Sequence, residues 1–161
     1  MIFRSIILVA CFTGMNPFQV KEKDIVSVSV NETILTPEEK SVAIIRVKVK
    51  ADYHIQANNV TNESLIPISL ETTPNRFFLL NKPIFPPYKF FRLEGTEERL
   101  NVFDSIFIIQ LPVKAMSTTK EGQYLIKARI RYQACNAKTC LFPRTINFEL
   151  PVIVKKHKLA D

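Results

Sequence analysis

The stretch Gln123-Tyr124-Leu125-Ile126-Lys127-Ala128-Arg129-Ile130-Arg131-Tyr132-Gln133-Ala134-Cys135 alternates in character along its length. Tyr124, Ile126, Ala128, Ile130 and Tyr132 fall on one side, and Lys127, Arg129 and Arg131 on the other. Side chains of a strand point to opposite faces at every step, so a period of two predicts a strand with one buried face. Working outward, residues 42–51 repeat the pattern, with Ile45, Val47, Val49 and Ala51 set against Arg46, Lys48 and Lys50. Residues 25–30 place Val26, Val28 and Val30 against Ser27 and Ser29, and residues 145–154 place Ile146, Phe148, Leu150 and Val152 on one face. Residues 65–72 carry Ile66, Ile68 and Leu70, with Pro67 marking an edge or a bulge. Residues 105–113 are more continuously apolar and predict a central strand. Six or more strands and no long amphipathic helix predict an antiparallel β-sandwich.

Composition fits that class. The chain has 161 residues, one domain by length, and 47% hydrophobic residues, enough for a core. It has no Trp and 12 Phe, so Phe supplies the aromatic core, and 10 Pro against 3 Gly favour extended chain over tight glycine turns. The net charge of +7 raises nucleic acid or an acidic membrane as partners. Neither is favoured: the bases alternate along strands, as in Arg46-Val47-Lys48-Val49-Lys50, and no aromatics interleave with them for stacking. The run Lys155-Lys156-His157-Lys158 is read as a solvated terminus. Residues 81–98 contain Pro83, Pro86, Pro87 and many aromatics, and are expected to form a long loop.

The N-terminus predicts export. Arg4 precedes the short apolar run Ser5-Ile6-Ile7-Leu8-Val9-Ala10-Cys11-Phe12, which suits a signal peptide and is too short for a membrane-spanning helix. Leu8-Val9-Ala10-Cys11 also resembles a bacterial lipobox, which would make Cys11 a lipidation site; a plain secretory signal with an incidental cysteine is the equal alternative. Residues 1–20 are therefore assigned to a signal with a short linker, and residues 21–161 to the folded domain. Export places Cys135 and Cys140 in an oxidising compartment, where they can pair.

Those two cysteines flank Asn136-Ala137-Lys138-Thr139, with strands on both sides. A hairpin tipped by these four residues sets the cysteines opposite each other, about 4.5–5.5 Å apart at Cα and within disulfide reach. A bridge closing so short a loop restricts the unfolded chain little. At an exposed tip this suits exchange, and Lys138 and Arg144 are cations able to favour a thiolate. The same spacing serves a plain hairpin staple, and spacing alone leaves both open.

The run Tyr132-Gln133-Ala134-Cys135 to Cys140-Leu141-Phe142-Pro143 resembles the amino-terminal domain of the thiol:disulfide interchange protein DsbD, whose motif is Tyr-Gln-small-Cys, a second cysteine and a following proline. Asp52-Tyr53-His54-Ile55 followed by Leu65-Ile66-Pro67-Ile68-Ser69-Leu70-Glu71 is similar to the same family, as more weakly is Asn101-Val102-Phe103; together the blocks cover roughly residues 24–154. The resemblance implies an immunoglobulin-like fold and a periplasmic thiol:disulfide oxidoreductase activity without a cofactor. It implies Cys140 as the thiol that makes the mixed disulfide, Cys135 as the resolving thiol, and thioredoxin-like partners. It also implies an aromatic lid from residues 86–98, with Phe90 or Phe91 over the pair. The family often has five residues between its cysteines, against four here. The full-length family protein continues into a membrane domain and a thioredoxin-like domain, whereas this sequence ends at Asp161; a separate membrane electron transporter is then the expected source of electrons. The competing class is a non-catalytic binding or scaffold sandwich with a structural disulfide.

Other residues carry less. His54 and His157 are the only histidines, and without ligand-spaced neighbours no metal site is expected. Tyr132 is either a tuning residue or, continuing the inward register, core; the register favours core. Asn31-Glu32-Thr33, Asn59-Val60-Thr61 and Asn62-Glu63-Ser64 are sequon-like and read as polar loops.

Overall fold

The computed structural model describes residues 25–155. The export segment, the Cys11 lipidation call and most of the basic tail lie outside the described residues. In chain order the strands are β1 (Val26–Val30), β2 (Thr33–Leu35), β3 (Lys40–Val49), β4 (His54–Gln56), β5 (Ser69–Thr72), β6 (Phe78–Leu80), β7 (Lys89–Arg92), β8 (Arg99–Phe103), β9 (Ile106–Ala115), β10 (Gly122–Tyr132), β11 (Ala134–Cys135) and β12 (Arg144–Val154). The protein is an all-β, immunoglobulin-like sandwich.

Two sheets form the body, in orders β1-β3-β9-β6 and β2-β12-β10-β5. All pairings are antiparallel except the short one between β12 and β2, which runs parallel. Their facing sides make one core. Ile45, Val47, Ile109 and Leu111 come from the first sheet, and Ile126, Ile130, Leu150 and Val152 from the second. Each buried aliphatic side chain of this kind contributes about 1.5–3 kcal/mol. The outward face carries the charge: Arg46, Lys48, Lys127, Arg129 and Arg131 are exposed, as the alternation predicts. The continuously apolar 105–113 stretch is central, flanked by β3 and β6.

A third sheet, β11-β4-β8-β7, builds the site. It forms because the chain stays extended after β10 ends at Tyr132. The chain passes through Gln133 and continues as β11, which pairs with β4 instead of β5 or β12. Three expectations are corrected here. The 81–98 segment is not loop throughout: Lys89–Arg92 pairs with β8, and a turn at Leu93–Thr96 with Gly95 at φ 76° closes the hairpin. That positive φ at the third turn position is one that glycine takes without steric cost. The strand expected over 65–72 begins only at Ser69, because Pro67 has no N–H for a ladder. The strand expected over 42–51 ends at Val49, because Ala51 and Asp52 turn the chain, with Asp52 at φ 66°.

Candidate functional site

The hairpin tip is held by its own side chains. Asn136 Oδ1 accepts from the N–H groups of Lys138 and Thr139, both at 2.9 Å, and the Asn136 N–H donates to the Thr139 carbonyl. An asparagine side chain folded onto the next residues fixes a tight turn. Below the tip the Leu141 N–H donates to the Ala134 carbonyl at 2.7 Å. Cys135 and Cys140 thus face each other as an antiparallel pair and are joined in a disulfide. Their Cα atoms are 3.9 Å apart, closer than the spacing expected for opposed strand residues.

The two sulfurs live in different surroundings. Cys135 is fully buried, packed with Leu100 and Val102, whereas Cys140 is only partly buried. Cys140 lines a shallow groove with Gln133, Thr139, Leu141, Phe142 and Arg144. Gln133 pins this region from below: its Oε1 accepts from the Ile66 N–H at 2.8 Å and its Nε2 donates to the Leu141 carbonyl at 3.2 Å.

The two lid candidates separate. Phe91 packs with Leu93 and Leu65 into the cluster that holds both cysteines. Phe90, on the opposite face of β7, is 66% exposed and meets Tyr88 and the Arg99 guanidinium instead. The segment after β7 is tied to the hairpin tip, since the Glu94 N–H donates to the Ala137 carbonyl at 2.8 Å. Tyr132 is buried in the main core, and Lys138 is exposed at the tip.

Two residues that the sequence does not single out stand at the pair. Gln56, fully buried, directs Nε2 at Cys135 Sγ, 3.2 Å away, and at Cys140 Sγ, 3.7 Å away. Its only sequence signal is its place directly after Asp52-Tyr53-His54-Ile55. Phe142, two residues past Cys140, is 91% exposed. A phenylalanine beside a cysteine pair is a visible signal, but its exposure is not. His54 lies opposite Cys135 in the β4–β11 pair and stacks on Phe91. Burial lowers its pKa from the ordinary 6.5; the Asp104 carboxylate acts against this and Lys89 acts with it.

No family model and no curated protein matches the sequence. Solved structures do. The chain is similar to the N-terminal periplasmic domain of ScsB from Proteus mirabilis, at 10% identity and a TM-score of 0.53, over 83% of this chain and 48% of that one. It therefore spans about half the length of that domain. At this identity the likeness is one of fold. The N-terminal domain of DsbD from Neisseria meningitidis, solved in the reduced form, aligns at 16% identity and a TM-score of 0.44, over 67% of this chain and 74% of that one.

Proposed function

We propose that this domain exchanges disulfides with thioredoxin-like proteins in the periplasm through Cys140 and Cys135. The observation that carries it is the unequal burial of one disulfide: Cys140 reaches a surface groove, while Cys135 is sealed beneath it. A thiolate of a dithiol partner attacks Cys140 Sγ. The Sγ–Sγ bond breaks, its electron pair passes to Cys135 Sγ, and a mixed disulfide joins Cys140 to the partner. The partner's second thiolate then attacks its own bridged sulfur, releasing Cys140 as a thiolate. The partner ends as a disulfide and this domain as two thiols, and the same sulfurs run the reverse sequence.

The surroundings support those roles. Arg144, lining the groove with Cys140, favours a thiolate there, and Lys138 at the tip adds positive charge. Phe91, packed into the cluster that holds both cysteines, is placed to shield the pair from small thiols, and the exposed ring of Phe142 offers an apolar contact to a docking partner. Export through residues 1–20, with or without an anchor at Cys11, and electron supply by a separate membrane transporter complete the proposal.

The test is capture. A thioredoxin with one cysteine activated as its thionitrobenzoate disulfide is mixed with Cys135→Ala or Cys140→Ala. Cys135→Ala should release thionitrobenzoate and form a stable mixed disulfide through Cys140; Cys140→Ala should not, because Cys135 is buried. No capture by either variant, with the wild-type bridge untouched by reduced thioredoxin, would return the disulfide to a staple of the third sheet.

A further inference from the structure

Gln56 is an anomaly in its setting. It is fully buried on β4, where its neighbours are apolar: Ile55 precedes it and Val102 is its partner across β8. Its backbone is held on both sides, by N–H donation to the Gln133 carbonyl at 2.9 Å and by acceptance from the Ile68 N–H at 3.3 Å. Its Nε2 donates to the two sulfurs, and Oε1 is buried with no hydrogen-bond partner among the described residues. Burying an amide is costly where it is left unpaired. A disulfide sulfur is a weak acceptor, so the oxidised state repays little of that cost.

A stronger partner appears when the bridge opens. Attack at Cys140 leaves the electron pair on Cys135, which is packed with Leu100 and Val102. Burial opposes a thiolate there. The group placed to meet that charge is the Gln56 amide, with Nε2 already 3.2 Å from Cys135 Sγ. Building on the exchange function proposed above, we infer that Gln56 is a catalytic residue whose N–H donates to the thiolate developing on Cys135 as the disulfide opens. The unpartnered Oε1 completes the role. Once Cys135 takes up a proton, its S–H needs an acceptor, and rotation of the amide turns Oε1 towards it. In the reverse direction the amide accepts from the resting Cys135 thiol and donates to the thiolate that attacks Cys140 Sγ. Fixed donors aimed where charge develops need no reorganisation at the moment of reaction.

The experiment separates this inference from the exchange function itself. In a Cys140→Ala background, ultraviolet absorbance of the thiolate reads the pKa of Cys135 with no partner present. Gln56→Met keeps the length and removes the donor. It should raise that pKa by about one unit or more. In the two-cysteine protein it should slow opening by dithiothreitol about tenfold or more. A folded Gln56→Met protein that leaves the pKa within about 0.3 unit and the opening rate within about twofold of the parent overturns the inference. Should that variant fail to fold, Gln56→Glu is used, because its carboxyl donates when protonated and repels a thiolate when ionised. Its opening rate relative to wild type should fall as pH rises through the carboxyl titration, and a flat ratio overturns the inference. Loss of partner capture with the pKa shift intact would defeat the exchange function and leave Gln56 as the donor on Cys135.

Discussion

The imidazole of His54 stacks on the ring of Phe91, with centroids 3.9 Å apart and planes inclined by 24°. His54 also lies directly across from Cys135 in the β4–β11 pair. One aromatic contact therefore joins β4, which pairs with the strand of Cys135, to β7, which carries Phe91. The segment proposed as a lid is anchored at three places: this stack, the bond from Glu94 to Ala137, and the ion pair between Lys89 and Asp104 at 2.7 Å.

Phe91→Ala should expose the disulfide. Dithiothreitol should then reduce it about tenfold faster, since exchange rates depend on access to the sulfur attacked. Part of a buried aromatic contact is also lost, so stability should fall by about 1–3 kcal/mol, less than a fully buried Phe→Ala change. Phe90→Ala is the matched control. Its ring is two-thirds exposed, so neither the reduction rate nor stability should move beyond about 0.5 kcal/mol. Equal acceleration in both variants would remove the lid role from Phe91.

Acid should loosen the same contact. Burial holds the His54 pKa below its ordinary 6.5, with Asp104 opposing and Lys89 reinforcing. The unfolded chain therefore takes up the proton before the folded one does. The stabilisation tied to neutral His54 is complete above pH 6.5 and is lost as the pH falls through 6.5 and on through the lower folded value. His54→Phe keeps a ring on Phe91 and removes the titration. Urea midpoints of wild type and variant should diverge as the pH drops from about 7.5 to about 5, with wild type losing more. A gap constant with pH would count against it.

Phe142→Ala should distinguish partners by size. The ring contributes little to the fold at 91% exposure, so unfolding should shift by no more than about 0.5 kcal/mol. Opening by dithiothreitol should be unchanged, because the sulfurs and lid are untouched. Exchange with a thioredoxin-like protein should slow about fivefold or more, as expected for loss of an apolar contact at a protein interface. Equal rates with both reductants would remove Phe142 from the docking surface.

Legibility in the sequence follows strand length. β3, β10 and β12 run for 10 or 11 residues, long enough for a period of two to stand out. β4 and β6 have 3 residues and β7 has 4, too few to display a period. These short strands exist because a partner offers them hydrogen bonds, and β7 is further hidden among Pro86, Pro87 and Tyr88. The cysteine pairing was legible because it depends on local chain alone, through four residues of hairpin. Gln56 was not, because it lies 79 positions from Cys135 and only the third sheet brings them together. Nothing in His54-Ile55-Gln56 tells an amide facing sulfur from one facing water. Phe90 and Phe91 are adjacent, so they fall on opposite faces of any strand. Residue type could not choose between them, and the pairing of β7 with β8 does.

The reduction potential separates an exchange pair from a staple. Structural bridges of exported proteins typically lie below about −300 mV, while exchange proteins span roughly −120 to −270 mV. Cys135 and Cys140 are 5 positions apart, so reducing the bridge releases little chain entropy and little favours the oxidised form on that account. The hairpin is also held without the bridge, through Asn136 Oδ1, the Leu141–Ala134 bond and the Gln133 contacts, so the reduced thiols stay near each other. That proximity favours re-oxidation and lowers the potential, whereas Arg144 and Lys138 stabilise a Cys140 thiolate and raise it. The balance predicts a potential of roughly −200 to −270 mV, within the exchange range. Equilibration in graded thiol buffers with mass-spectrometric readout of alkylated protein measures it. Arg144→Gln should lower the potential by about 10–30 mV through loss of one exposed cation. A wild-type value well below −300 mV, insensitive to Arg144, would mark the pair as a structural staple.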